Sequence, residues 1–154
     1  MSYGIIIWGG SPHASKLFKT QNKAIRIIFG LTNIESCRPI FRKHKMLTFT
    51  SVYVLEVSKF FRKNTSVFES NKRVRPSMYF VRNSKEQYAP VLDKYKLCER
   101  GLRSMAIKLA NGFSKNGKLD NLMKSVANIS YIGALKVILI DNCYYSINEI
   151  FTEP

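Results

Sequence analysis

The chain has 154 residues, 45% of them apolar and 12% aromatic, with a formal net charge of +15. That length and composition exclude a disordered tail and leave room for one buried core. A pI near 9.9 directs attention to an anionic partner, and the charge is uneven, since 24 of the 25 Lys/Arg but only 7 of the 10 Asp/Glu precede residue 125.

Gly4 to Gly9 holds Ile5, Ile6, Ile7 and Trp8 together, which fits either a buried strand or the last turns of a buried helix. Gly9-Gly10-Ser11-Pro12 then reads as a turn. An apolar run this close to Met1 needs something to pack on, so exposed apolar surface is expected around Ile5–Trp8, as if the chain began inside a larger domain.

Ser11 to Leu31 is the best-marked helix. Ser11 suits the N-cap, Pro12 the first helical position, and Gly30 the left-handed residue that ends a helix. Leu17, Phe18, Gln21, Ala24, Ile25, Ile28 and Phe29 follow one buried face. Lys16, Lys19, Lys23 and Arg26 fall within an arc of about 80° at 100° per residue. No acid interrupts them. A solvated helix face and a phosphate-tracking face both fit such a stripe.

A short basic helix is expected from Pro39 to Met46, with Pro39 at its first position and Ser36 or Arg38 just before it. Thr48 to Lys63 favours a strand by its β-branched and aromatic content. Its length and polar spacing favour a helix capped by Thr48 or Thr50, and a helix is the reading adopted. Residues 64–89 show no sustained period and read as a long basic loop, with Arg73, Arg75 and Arg82 as candidate contacts.

Leu97 to Phe113 places Leu102, Met105, Ala106, Leu109 and Phe113 on one face, and Leu119 to Val126 is a further short helix. Tyr131 to Ile140 reads as a buried helix. Ser146 and Glu149 form a capping-box pattern ahead of the last turns. The chain is therefore expected to be mainly α, an irregular helical domain. Its parts are a helical segment over 1–63, the loop over 64–89 and a second helical segment over 90–154 packing on the first.

Catalytic chemistry is hard to find. Asp93, Asp120 and Asp141 are isolated, and the Glu residues are scattered. Nothing in the sequence advertises the converging carboxylates of a two-metal site. There is no phosphate-binding Gly-rich loop. Cys37, Cys98 and Cys143 are odd in number and far apart, and His13 and His44 stand alone. This argues against a zinc knuckle and for reduced cysteines in an intracellular protein. Tyr3 to Trp8 is too short to span a bilayer and lacks the leader and cleavage site of a signal peptide, so no membrane partner is expected.

The order of several segments is nonetheless distinctive. Tyr3-Gly4-Ile5-Ile6-Ile7-Trp8-Gly9 comes first, then Phe18-x-x-Gln21-x-Lys23-Ala24-Ile25-Arg26-Ile27-Ile28, then Ser36-Cys37-Arg38-Pro39-Ile40-Phe41. Further on stand Leu47-Thr48, Ser51 to Val57, Lys63-Asn64, Ile107-Lys108-Leu109-x-Asn111, and Leu135-Lys136 through Cys143 to Glu149. Together they resemble the region just after the polymerase palm in jockey-type non-LTR retrotransposon reverse transcriptases of insects. The chain departs from that pattern at Ala110, at Phe113-Ser114 and over Tyr79 to Arg82.

The resemblance implies a thumb and C-terminal extension of an RNA-directed DNA polymerase, gripping template–primer nucleic acid and contacting a palm that this chain lacks. It implies no catalysis by this chain alone and no cofactor of its own, since the Mg²⁺ ions belong to the missing palm. The expected phosphate contacts are Lys16, Lys19, Lys23 and Arg26, with Arg38, Arg42 and Lys43 as a second patch. Two rivals stand beside it: a basic helical domain that only packs on the missing palm, its charge merely solubilising, and an unrelated basic RNA-binding protein.

Overall fold

The computed structural model describes residues 4–68, 88, 101–115 and 128–152. The described residues are mainly helical: α1 (Ile5–Trp8), α2 (Ala14–Phe29), α3 (Arg38–Lys43), α4 (Phe49–Lys63), α5 (Leu102–Lys115), α6 (Asn128–Asn142) and α7 (Ile147–Thr152). The expected helix over Leu119 to Val126 lies outside the described residues, as does Cys98.

α4 is the hub. Phe49, Tyr53, Val54, Leu55, Val57 and Phe61 are all buried and share one apolar cluster with Ile5, with Ala106, Leu109 and Phe113 of α5, and with Tyr131, Leu135 and Leu139 of α6. The residues that make this stretch resemble a strand explain its packing once it is a helix. Thr48 caps it, its hydroxyl accepting from Ser51 N–H at 3.2 Å and donating to Tyr144 O at 2.6 Å. Thr50 donates to Tyr145 O at 3.1 Å and Ser51 to Leu139 O at 3.3 Å. Three hydroxyls at the start of α4 thus meet carbonyls at the end of α6 and just beyond it, Leu139 O being shared with Cys143 N–H at 3.3 Å.

The Ile5–Trp8 segment is a helix, and it does not present the broad exposed apolar surface expected of it. Ile5 is fully buried, Ile6 and Trp8 pack on the main core, and only Ile7 stands out in water at 82% exposure. Trp8 stacks on Phe49 with ring centroids 5.6 Å apart. The turn behind it needs glycine, because a Cβ on Gly9 would collide with the Tyr53 ring and Ile5 O.

α2 starts later than its cap residues suggest. Ser11 to His13 form a turn, with Ala14 N–H on Ser11 O at 3.1 Å, and the N-cap position falls on His13. Among the described residues, the Ser11 hydroxyl accepts from His13 N–H, at 3.3 Å, and caps no N–H of α2. Gly30 ends the helix as expected, at φ 64°, and both Gly30 and Leu31 N–H reach Arg26 O. α3 is likewise shifted: Cys37 is its N-cap and Arg38 its first residue, so Pro39 is second.

Two described pieces of the 64–89 stretch are tied to the core. Phe68 is buried against Phe61 at 4.7 Å, after a single 3₁₀ turn over Thr65–Val67. Tyr88 lies 4.8 Å from the Phe61 ring and exchanges two backbone hydrogen bonds with the Asn111 amide, at 2.8 and 3.0 Å. Among the described side chains of α6, Tyr131, Leu135 and Leu139 are buried along one line, while Val137 is 57% exposed. Glu149 reaches back as a capping residue does, but to Tyr145 N–H at 3.1 Å rather than to Ser146.

Candidate nucleic-acid interface

On α2 the buried strip is narrower than the apolar pattern implies. Ile25 is buried and Phe18 packs half-buried on the main core, its ring 4.7 Å from that of Tyr145. Gln21 belongs to this inner side for a polar reason: its amide donates to Leu47 O at 3.1 Å and accepts from Phe49 N–H at 2.8 Å, seating α2 on the start of α4. The rest of the expected face is not covered. Leu17 is 39% exposed and Ile28 71%, and Ala24 is exposed beside them. Phe29 turns partly outward, against the His44 ring at 4.6 Å.

The cationic stripe lies on the outer side. Lys16, Lys19 and Lys23 are exposed, and no acid among the described residues forms an ion pair with them. Arg26 differs from these three. Its guanidinium is half-buried, donates from Nη2 to Glu35 O at 3.2 Å, and keeps Nε buried without a hydrogen-bond partner among the described residues. It serves the loop after α2 more than the open face.

The second patch divides in the same way. Arg38 pairs through Nη2 with Glu149 at 3.0 Å and lies over the Tyr145 ring at 4.5 Å, joining α3 to α7. Arg42 and Lys43 are exposed at the end of α3. Behind them burial pushes the Cys143 thiol up, with Arg42 and Arg38 nearby pulling the other way. Cys37 and Cys143 are both free and buried, and both pack with Ile25 and Phe41. The Cys37 thiol reaches Asn22 O at 3.8 Å, which holds α3 against the second half of α2. Arg73, Arg75 and Arg82 lie outside the described residues.

Lys45, outside both expected patches, is exposed just beyond α3 with a left-handed backbone at φ 51°. The Lys43-His44-Lys45 run was its signal. The structural role of Gln21 carried no signal in periodicity, because a polar residue on an apolar face gives no hint of which backbone it will bond.

The arrangement can hold a polyanion by point charges, since ammonium groups on flexible stems grip phosphates without reading bases. Among the described residues no group of three or more His, Cys, Asp or Glu converges. Glu56 is paired with Lys59 at 2.7 Å and Glu149 with Arg38. Nor is any helix among them long and apolar enough to cross a membrane. Compared with protein-family models, curated proteins and solved structures, the chain matches none.

Proposed function

We propose that this chain is a nucleic-acid-holding helical piece of a retrotransposon reverse transcriptase, a thumb-like part that is not catalytic by itself. The observation that carries the nucleic-acid half is the exposed row Lys16, Lys19 and Lys23, unpaired with any described acid, on a helix held by its opposite side. The polymerase half rests on the ordered sequence resemblance. From Lys16 to Lys23 the row covers about 10 Å of helix axis at 1.5 Å per residue, or roughly three phosphates along one strand. Such contacts would position a duplex of any sequence and let it slide, as a template–primer grip requires.

Because Arg26 is engaged with Glu35 O, three contacts are expected from α2 rather than four. Replacing Lys16, Lys19 and Lys23 together with Gln is expected to flatten the slope of log K against log salt by about 2.7 units on duplex DNA, at roughly 0.9 per phosphate. Filter binding to a primer–template duplex at several salt concentrations measures this. An unchanged slope would leave the charge as mere solubilising surface.

A further inference from the structure

Beside its lysines α2 carries an apolar line that phosphate binding does not use. Leu17, Ala24 and Ile28 lie on one line, with exposed Ile27 beside it at 81%. Their spacings of 7 and 4 are those of a helix-pairing seam, and the line runs about 16 Å, or three turns. One flank is closed by the chain itself, where Gln21 is bonded to Leu47 O and Phe49 N–H. The other flank is basic. Lys16 and Lys23 repeat at seven residues, in step with Leu17 and Ala24, so these two anchors each have a cation about 100° round the helix from them.

From this juxtaposition we infer that the outer ridge of α2 docks an amphipathic helix of a partner protein, its apolar stripe on Leu17, Ala24, Ile27 and Ile28 and its acidic flank on Lys16 and Lys23. Helix-in-groove recognition uses anchors at this spacing, and flanking charges choose the partner. A second copy of this chain is a poor occupant. It would set one row of lysines against another, and like charges across a helix pair repel. A lipid surface also fits less well, because an interfacial helix carries its cations on a broad polar face around a membrane-facing stripe. Here the cations stand on one edge of the ridge only.

The inference does not rest on the phosphate reading, and a single set of titrations separates them. The probe is a 21-residue amphipathic peptide with Leu along its seam and Glu on both flanks, followed by fluorescence anisotropy with the full chain. A matched peptide with Lys in place of Glu, phosphatidylserine vesicles and a primer–template duplex form the other arms.

Ile27→Ser with Ile28→Ser is expected to weaken the Glu peptide about ten-fold or more and to leave duplex binding unchanged. Lys16→Glu with Lys23→Glu is expected to weaken the Glu peptide by a similar factor and to strengthen the Lys peptide about ten-fold, the signature of a swapped charge pair. The inference is overturned by any of four results: no binding of the Glu peptide, binding indifferent to the Ile replacements, vesicle binding that alone depends on Ile27 and Ile28, or a self-associated chain that those replacements dissociate. Loss of the duplex arm alone would remove the phosphate reading and leave the ridge assignment standing.

Discussion

α2 and α4 are nearly equal in length, 16 and 15 residues, yet they sit in the molecule in opposite ways. α4 buries nine residues and α2 buries one. The helix with the sharper division into apolar and charged sides is the peripheral one. A strongly two-sided helix is two-sided because much of it meets water, whereas the hub, touched by several helices, is apolar or hydroxylic over most of its surface and confines Glu56, Lys59, Arg62 and Lys63 to the remainder. Contrast in a sequence therefore marks an edge, and blandness marks a centre.

The sharpest way to break this comparison is to remove one large side chain from each helix. Phe61 of α4 is buried among Phe68 and Tyr88, so Phe61→Ala is expected to cost about 3–5 kcal/mol in urea unfolding. Ile28→Ala on α2 is expected to stay within about 0.5 kcal/mol, as for an exposed position. Similar costs at both sites would mean that the ridge on α2 is covered by this chain itself.

Thr48→Val comes next. It keeps the shape but removes the N-cap acceptor for Ser51 N–H and the donor to Tyr144 O. The expected loss is about 1–2 kcal/mol. Val keeps the β-branched bulk, so retained stability would mean that bulk, and not the hydroxyl, is what position 48 contributes.

These two helices also show how much could be read in advance. The mainly helical class, Gly30 as the stop of α2 and Thr48 as a possible cap of α4 followed from local rules, since each depends on a backbone conformation or a bond within one turn. The buried strip of α2 was legible only by half. Periodicity places Phe18, Gln21 and Ile25 correctly and wrongly adds Leu17, Ala24, Ile28 and the partly outward Phe29, because a seven-residue face does not say how wide its neighbour is. The site was less legible still. Lys16, Lys19 and Lys23 looked the same as Arg26 and Arg38 in the sequence, and what separates them is distant: Glu35 O for one and Glu149 for the other.

A smaller effect tests the centre by pH. Burial pushes the Tyr53 phenol up to about 12 from its ordinary 10.0. The folded state thus favours the neutral phenol. Its contribution to stability is complete below pH 10 and is lost as pH rises through 12. Thermal melts between pH 9 and about 12 are expected to decline less steeply in Tyr53→Phe than in the parent chain. Comparing the two chains cancels the lysines that titrate over the same range. Equal declines would mean that the phenol stays hydrated, and that the hub is looser at Tyr53 than its packing indicates.

Arg38 stands between the two regimes, and its effect is expected to be the smallest. Its side chain is 41% exposed and that of Glu149 36%, so water screens the pair. Arg38→Met keeps an unbranched stem over the Tyr145 ring while removing the charge, and the expected loss is below about 1 kcal/mol. Duplex binding is the more telling measurement. A guanidinium that stays with Glu149 offers little to a phosphate, so the salt slope is expected to change by much less than the roughly 0.9 units of a full contact. A change as large as that would mean that Arg38 leaves Glu149 when nucleic acid arrives. The link between α3 and α7 would then open on binding, making this ion pair a switch between the fixed centre and the basic edge.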